Sequence, residues 1–529
     1  MTSTAPPASK FLNGAGVLLG LGIFAAFAFR SVNDLLWADE LLTMHLLQAD
    51  SLRKLWGGIA LGIDGNPPLY LTGAWLLARL LPGSISAVAV LKLLNLALVA
   101  AGLAALWHLG RRVASAAACW AALFVLLTLN ENLLFAAFEF RTYATYFAAA
   151  AGAALAQQAA IERGRLRETG LLALAFLALT SSHTFGIAYV GCIALAGWLS
   201  ALCEKGVLRR ILIATAPSVL AVLAWLPVLR EQLKVASPYG WITQPGWSEL
   251  AETLFSSQLM LWICVAALLW LLLTSVADWS QQPRWRGEMI SGDDRQSTRY
   301  MLLLATGFTA FALAAWIVSL IGFPIFVPRF FIPQLIVTSI LMTAFAQRLL
   351  AVAERRRALV VGGGLIISAL VLRNVAAHVA HPAHGDPVCT DAAGTPFEAA
   401  YVTGEWPVIT DSPHVFLPRA AYAAHREAYR FPLDWDVVTT YPTRSRGNAV
   451  DYHILQALQT WLPMPQVVTT DDVVRGGGPF LVIETPGRAW FAHLRATRGI
   501  QAEQVAQSAQ RAGDDVICTL WKVTDVKPR

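Results

Sequence analysis

Two adjacent carboxylic acids, Asp39 and Glu40, are the residues best placed for chemistry, and they follow the first hydrophobic segment by about ten residues. A carboxylate is costly to keep at a membrane boundary, and partial desolvation suits it to general-base work. We therefore predict that Asp39 is catalytic. Glu40 points away from Asp39 in either a helix or a strand, so we expect it to be a supporting acid. The structural alternative is a solvated acidic loop or a helix N-cap.

A second polar group follows in the same loop, in the sequence Asn66-Pro67-Pro68-Leu69-Tyr70. The two prolines predict an extended approach followed by the first turn of a helix. A plain turn into an interfacial helix explains the pattern equally well. We include Asn66, Pro67, Pro68 and Tyr70 among the candidate substrate-binding residues.

Further candidates lie at the predicted ends of hydrophobic segments. Glu139, Arg141 and Tyr143 belong to one turn, where a structural ion pair is the alternative to Arg141 clamping an anionic lipid head group. Arg329 begins a late segment between aromatic residues, which favours phosphate binding, although snorkelling explains part of its position. His183 is expected to be a turn residue with at most a minor binding role.

The composition predicts a polytopic membrane protein. Hydrophobic residues make up 56% of the chain and charged residues only 14%, more apolar surface than a soluble domain can bury. The net charge of +6 does not indicate nucleic-acid binding, because the basic residues form short clusters between apolar segments.

The cysteine and histidine patterns do not favour a metal centre. The six cysteines have no CxxC spacing. His378, His381 and His384 are regularly spaced, but Pro382 would break a helix that aligned them, so a linker is the better interpretation. No cofactor is predicted with certainty. A divalent cation stays an open alternative that the sequence does not support.

About eleven hydrophobic segments are long enough to span a bilayer. They lie at residues 11–29, 85–107, 113–130, 143–161, 169–182, 186–203, 211–229, 258–276, 300–322, 329–348 and 358–376. The stretch 67–82 is short and begins with prolines. If it lies at the interface instead of crossing, every large basic cluster falls on the cytoplasmic side, as the positive-inside rule expects.

Residues 378–529 have a different composition, in which short β-rich runs alternate with helical patterns. The runs are residues 407–410, 435–439, 480–484 and 516–523, and a capping box is expected near Asn448 and Asp451. We predict a transmembrane domain at residues 1–377 and a small extracytoplasmic α/β domain at residues 378–529. Cys389 and Cys518 could form a disulfide or remain two thiols.

The motifs in this order resemble those of the GT-C glycosyltransferases, in particular bacterial relatives of the protein O-mannosyltransferases and the lipid A aminoarabinose transferase. The resemblance covers roughly residues 10–350. It rests on the Asp-Glu pair, the Asn-Pro-Pro-Leu-Tyr sequence, Gly110-Arg111-Arg112, Glu139 to Tyr143, and Ser182 to Gly186. The family often has Lys-Pro-Pro where this chain has Asn66-Pro67-Pro68, and Arg-Pro-Tyr where it has Arg141-Thr142-Tyr143.

The resemblance implies a GT-C fold and an inverting transfer of a hexosyl or pentosyl group. The sugar would move from a polyprenyl-phosphate donor to the hydroxyl of a glycan, lipid or protein acceptor, at the outer face of the bacterial cytoplasmic membrane. Asp39 corresponds to the family's catalytic first-loop acid. Glu139 corresponds to the acid of the next external turn and is included among the predicted catalytic residues, and Arg329 corresponds to an arginine near the lipid phosphate.

Three other functions compete with this prediction. A lipid or polysaccharide transporter or flippase would place charges deep within spans, whereas here they concentrate at the outer ends of the segments. A scaffolding subunit would tolerate the substitution Asp39→Asn. A ligase that moves a whole oligosaccharide remains an alternative within the enzyme class.

Overall fold

The computed structural model describes residues 7–83, 85–239, 242, 244–256, 260–269, 272, 292–322, 324–353, 368–369, 372–373, 375–377, 389–391, 395–441, 446–509 and 517–525. The histidine pattern at residues 378–384 and most of the expected span 358–376 lie outside these residues. The chain divides into two compact units. The first comprises Met1–Val32, Asn66–Leu226 and Ile242–His381, and the second comprises Asn33–Gly65, Pro227–Trp241 and Pro382–Arg529.

The part of the chain before residue 354 is helical. In chain order the helices are α1 (Pro7–Asn33), α2 (Ala38–Leu47), α3 (Leu52–Ala60), α4 (Leu69–Leu80), α5 (Ala87–Gly110), α6 (Ala116–Leu129), α7 (Glu131–Phe138), α8 (Tyr143–Arg163), α9 (Leu166–Ser182), α10 (Gly186–Ser200), α11 (Lys205–Tyr239), α12 (Trp247–Phe255), α13 (Met260–Leu269), α14 (Gly292–Leu320), a 3₁₀ helix (Pro328–Gln334) and α15 (Leu335–Ala353).

Polar side chains fix where several of these helices begin. Ser86 and Ser115 accept hydrogen bonds from backbone N–H groups in the first turns of α5 and α6. Asn130 ends α6 and caps α7, and the two helices are bent by 71° at this residue. Such caps satisfy backbone donors that have no partner within the helix. They are needed most where lipid offers no hydrogen bonds.

Five helices in the described residues are long and apolar enough to cross a membrane, or up to seven if each of two bent pairs counts as one span. The five are Gly16–Asn33, Ala87–Gly110, Lys205–Leu233, Arg295–Leu320 and Pro328–Leu350. Helices α9 and α10 coincide with expected spans but have only 17 and 15 residues. The total of about eleven spans stays a prediction. Helix α4 has 12 residues, about 18 Å, and is too short to cross the roughly 30 Å hydrocarbon core.

The core of the first unit depends on small residues between helices. Helix α8 buries a row of alanines against its neighbours. A Cβ atom added at Gly102 of α5 would lie 2.6 Å from the Phe147 ring of α8. Close helix approach through small residues is the usual packing mode within membranes.

The sequence after residue 388 forms a six-stranded sheet. Its strands are β1 (Val408–Ile409), β2 (Tyr429–Leu433), β3 (Val467–Thr469), β4 (Phe480–Glu484), β5 (Gln501–Gln507) and β6 (Thr519–Asp525), in the order β3-β2-β1-β4-β6-β5. The pairs among β1 to β4 are parallel, and β6 pairs antiparallel with β4 and β5. The intervening helices are α16 (Pro413–Tyr422), α17 (Trp435–Thr440), α18 (Arg446–Trp461), α19 (Thr470–Arg475) and α20 (Trp490–Arg498). The predicted small α/β domain is thereby confirmed.

Two local predictions in this region are wrong. The run 435–439 was expected to be a strand but forms helix α17, because Asp434 caps it by accepting a hydrogen bond from the Asp436 N–H group. Asn448 does not cap a helix, since α18 begins two residues earlier, at Arg446. The choice left open for Cys389 and Cys518 is settled, because the two residues form a disulfide.

The second unit combines the sheet with two segments from the helical part of the chain. The Trp461 indole of α18 donates a hydrogen bond of 2.7 Å to the Lys54 carbonyl of α3, and the Lys54 ammonium lies 5.6 Å from the Trp461 ring centroid. Gln232 donates to the Ile59 carbonyl at 3.0 Å. By packing, residues 33–65 and 227–241 therefore belong with the C-terminal sheet.

Candidate functional site

A single asparagine in the first unit fastens the turn that carries Glu139 and Arg141. The Asn95 side chain of α5 is buried and donates to the Glu139 carbonyl at 2.6 Å. It also lies 3.4 Å from the Arg141 carbonyl and 3.4 Å from the Tyr70 hydroxyl of α4. Three segments that are distant in sequence thus meet at one amide, which joins the predicted residues Tyr70, Glu139 and Arg141 in one place.

The neighbouring turn brings His183 to the same place. The Thr142 hydroxyl donates to the Ser182 carbonyl at 2.8 Å, which links the two turns. The His183 ring stacks on Tyr146 with centroids 4.5 Å apart. Burial, and secondly the nearby positive charge of Arg141, lower the pKa of His183 to about 3. The ring is therefore neutral at physiological pH and does not compete with Arg141 for an anion.

Arg329 approaches this group from the 3₁₀ helix. Its guanidinium carbon lies 6.0 Å from the Phe330 ring centroid, and the Phe330 ring lies 5.2 Å from the His183 ring. Tyr143 lies 6.4 Å from His183 on another side. Two guanidinium groups, Arg141 and Arg329, are thus placed around one aromatic cluster. Planar guanidinium groups suit bidentate binding of phosphate.

The prolines act as predicted at the start of α4. Pro68 is the N-cap residue, and its carbonyl accepts a hydrogen bond from the Thr72 N–H group at 2.8 Å. This start places Tyr70 in the first turn, where it is buried and faces Asn95.

The predicted catalytic pair lies in the second unit, in the first turn of α2. The Glu40 carboxylate accepts a hydrogen bond of 3.0 Å from the Trp37 N–H group, and Glu40 is only 3% exposed. Through this bond, Glu40 stabilises the N-terminus of α2. Asp39 is partly exposed, so its side chain remains accessible to a substrate. Its catalytic role stays a prediction, as does that of Glu40.

A group of charged residues that the sequence reasoning missed lies near Asp39 within the second unit. Arg488 pairs with Asp451 at 2.5 Å, and Asp411 accepts a hydrogen bond of 3.2 Å from the Trp490 N–H group. Burial raises the pKa of Asp451, while the charge of Arg488 lowers it and the charge of Asp39 raises it. We call Asp411, Asp451 and Arg488 the sheet-edge group.

The fold explains this position. Asp411 follows β1 and Arg488 follows β4, two adjacent parallel strands at which the order of the sheet reverses. In open α/β sheets this edge is the usual binding crevice. The predicted strand at 407–410 ends directly before Asp411, so the sequence did indicate a residue at the end of a strand. The sequence did not indicate that this strand pairs with β4, or that Asp451 lies nearby.

Helix α2 is held against α16 close to this group. The Trp37 ring stacks on the His414 ring with centroids 5.9 Å apart, and the Tyr422 hydroxyl accepts a hydrogen bond of 3.1 Å from the Leu36 N–H group. Trp37 and Leu36 are the two residues directly before α2. Their contacts therefore set the position of the first turn of α2, which carries Asp39.

Asp411 makes the stability of the second unit depend on pH. Its side chain is buried, and burial raises the pKa from 3.8 to about 6, with Arg488 opposing the shift. Because the folded state binds the Asp411 proton more tightly than the unfolded state, protonated Asp411 contributes to the free energy of unfolding. This contribution is fully present below about pH 4 and is lost as the pH rises through about 6. The shift corresponds to an amount on the order of 3 kcal/mol.

We expect Asp411→Asn to remove most of this dependence and to stabilise the unit at pH 7, because asparagine keeps an acceptor for the Trp490 N–H group without a buried charge. Hydrogen exchange of the full-length protein in detergent, followed in β1 and β4 between pH 4 and 7, measures the effect. The exposed Glu405→Gln is the control. An Asp411→Asn protein with the wild-type pH profile would contradict the prediction.

The described residues contain an apolar cavity of about 510 Å³ in the first unit and no group of three or more His, Cys, Asp or Glu side chains placed to hold a metal ion. Helices α1, α5 and α6 line the cavity, with aromatic residues on several sides (Phe24, Phe27, Trp107, Trp120 and Phe124). A cavity of this composition suits a hydrocarbon chain.

Comparison with solved structures identifies the architecture. The crystal structure of ArnT from Cupriavidus metallidurans bound to undecaprenyl phosphate matches with a TM-score of 0.54 and 14% sequence identity, over 96% of this chain and 97% of that one. The chain shares the ArnT fold. The structure of ArnT in the apo state matches with a TM-score of 0.44 and 13% identity, over 97% and 98% of the two chains. No protein-family model and no curated protein sequence matches the chain.

The likeness to ArnT confirms the predicted fold class, a polytopic α-helical membrane domain of GT-C type with a small C-terminal α/β domain. The predicted site residues fall into both units. The first unit holds Asn66, Pro67, Pro68, Tyr70, Glu139, Arg141, Tyr143, His183 and Arg329, and the second holds Asp39 and Glu40. One residue of the first unit that the sequence reasoning missed is Lys92, whose single charge within an apolar run was a visible signal.

Proposed function

We propose that the protein is a membrane glycosyltransferase that moves one sugar from a polyprenyl-phosphate donor to an acceptor hydroxyl at the extracytoplasmic face of the membrane. The observation that carries this proposal is the fold shared along nearly the whole chain with ArnT, whose structure contains undecaprenyl phosphate. Two arginines beside one aromatic cluster, and a partly exposed aspartate after the first span, support the same chemistry.

Asp39 acts as the general base in this proposal. As the acceptor oxygen attacks the anomeric carbon, its proton passes to the Asp39 carboxylate. The bond between the anomeric carbon and the phosphate oxygen breaks, and polyprenyl phosphate leaves with the bonding electron pair. Direct attack from the opposite side inverts the anomeric configuration. Glu40 holds the start of α2 through its bond to Trp37, so that Asp39 keeps its position.

Arg329 and Arg141 stabilise the leaving phosphate. Negative charge develops on the phosphate oxygens as the glycosidic bond breaks, and preorganised cations lower the energy of that transition state. Neutral His183 packs against Tyr143, Tyr146 and Phe330. It thereby positions this aromatic cluster beside the two arginines. Tyr70 and Asn66 lie at the start of α4, where their polar groups contribute to binding of the donor head.

The isoprenoid tail of the donor occupies apolar surface of the first unit. The cavity between α1, α5 and α6 has the size and the lining for part of such a chain. Helix α4, which is too short to span, lies at the outer interface and guides the tail. The basic clusters between the spans face the cytoplasm in this arrangement, and the α/β domain is extracytoplasmic.

Transfer by the purified protein tests the proposal. A panel of radiolabelled pentosyl and hexosyl polyprenyl phosphates is incubated with the protein and with a lipid and glycan extract, and the release of polyprenyl phosphate is followed together with label in the acceptor. We expect at least one donor to react and nucleotide sugars to remain unchanged. Movement of intact donor across a vesicle bilayer without release of polyprenyl phosphate would instead favour a flippase.

A further inference from the structure

One lysine of the first unit has no role in the reaction so far. Lys92 is the only Asp, Glu, Lys or Arg residue of α5, one of the five helices long and apolar enough to span the membrane. Its side chain is 1% exposed and ranks among the largest fully buried side chains of the described residues.

The burial of Lys92 excludes the usual explanation for a lysine in a spanning helix. A lysine near a helix end ordinarily snorkels, which keeps its ammonium group in water or among lipid head groups. Lys92 is instead enclosed by protein. A charged residue inside a membrane domain is energetically costly, and such residues usually mark a functional site.

Lys92 and Asn95 lie on the same face of α5. They are three residues apart, which separates them by about 4.5 Å along the axis on one side of a helix. Asn95 fastens the turn that carries Glu139 and Arg141. Side chains of an α-helix tilt toward its N-terminus, so Lys92 points from Asn95 toward the end of α5 at Ser86, which the charge distribution predicts to be the outer end.

Helix α4 begins beside the same face of α5. Tyr70, in the first turn of α4, reaches the same Asn95 amide, so Asn66-Pro67-Pro68 leads directly to this face of α5. The residue before the prolines is an uncharged asparagine. The nearest basic residue on α5 is Lys92, one helical turn from Asn95.

We propose that Lys92 is a further phosphate-binding residue that contacts the phosphate of the lipid-linked donor from the α5 side. The inference rests on the proposed function and adds a residue to the same site. An ammonium group is a compact point charge with three donors, which complements the planar donors of Arg141. A donor phosphate held by ammonium and guanidinium groups gains binding energy that a neutral polyprenol cannot obtain.

Equilibrium binding of a radiolabelled short-chain polyprenyl phosphate, and of the matching neutral polyprenol, to the full-length protein in nanodiscs tests this role. The variants are Lys92→Met, which is nearly isosteric and suits an apolar interior, and Lys92→Arg, which keeps the charge. The exposed Lys205→Met of α11 is the matched control. Thermal unfolding of each variant shows whether the fold is retained.

We expect Lys92→Met to weaken binding of the polyprenyl phosphate by about tenfold or more, the loss of one charged hydrogen bond, and to leave polyprenol binding unchanged. Lys92→Arg should retain most of the phosphate affinity. Equal phosphate affinity of Lys92→Met and wild type, or an equal loss for phosphate and polyprenol, would show that Lys92 only supports the fold. Wild-type protein that prefers neither ligand would overturn the proposed function, and this inference with it.

Discussion

Replacing Asp39 by asparagine should lower the rate of sugar transfer by about 100- to 10,000-fold, the usual contribution of a general base. Asparagine has nearly the same size and cannot accept the acceptor's proton. The loss should fall on the catalytic rate, while affinity for polyprenyl phosphate stays within about twofold. The measurement is single-turnover transfer from the donor identified in the panel, with saturating protein.

The matched control is Asp50→Asn, which removes an exposed carboxylate of the same loop that pairs with Lys54 at 3.7 Å. It should transfer sugar at the wild-type rate. Asp39→Glu keeps the carboxylate but moves it, and should recover part of the activity. If Asp39→Asn transferred sugar as fast as Asp50→Asn, the base would have to be another residue, and the assignment of the site would fail.

Replacing Arg329 by methionine should slow transfer by about 100- to 1,000-fold, the range for removal of one preorganised group that stabilises developing charge. Arg329 lies beside Phe330 in the 3₁₀ helix, and the Phe330 ring adjoins His183. Its charge should act more strongly on the transition state than on the bound donor, since phosphate charge grows as the glycosidic bond breaks. The catalytic rate should therefore fall further than the donor affinity.

The control for this variant is Arg209→Met, an exposed arginine of α11 in the same unit. Arg329→Lys should restore part of the rate, because a point charge replaces the planar fork only incompletely. A loss confined to donor affinity, with an unchanged catalytic rate, would assign Arg329 to ground-state binding and would contradict its role at the leaving group.

Features that depend on neighbouring residues were predictable from the sequence. The apolar runs predict the long helices, and Pro67-Pro68 predicts the start of the short helix α4. The run 480–484 coincides with β4, because β-branched and aromatic residues favour a half-buried strand wherever it is paired. Tyr70, Glu139, Arg141 and His183 were selected from local patterns, since each lies at or beside a turn between apolar segments, and their roles stay predictions.

Features that depend on distant residues were not predictable. The sheet-edge group requires the alignment of β1 with β4, and no pattern within either strand specifies that pairing. Asn95 reads as an isolated polar residue within an apolar helix until its three partners are known. The strand predicted at residues 435–439 failed because the cap at Asp434 outweighed the β propensity of its valines.

The interleaving of the second unit has a consequence for biosynthesis. Leu36 bonds to Tyr422, 386 residues later, and Lys54 to Trp461, 407 residues later. At about 5–20 residues per second, a ribosome needs roughly 20 to 80 seconds between making helix α2 and making its partners. During that interval the nascent chain can insert its spans, while the Asp39 segment lacks its partners from the C-terminal part of the chain. We therefore expect premature termination after residue 381 to yield an inserted but inactive product, because Leu36 and Lys54 then lack their partners Tyr422 and Trp461.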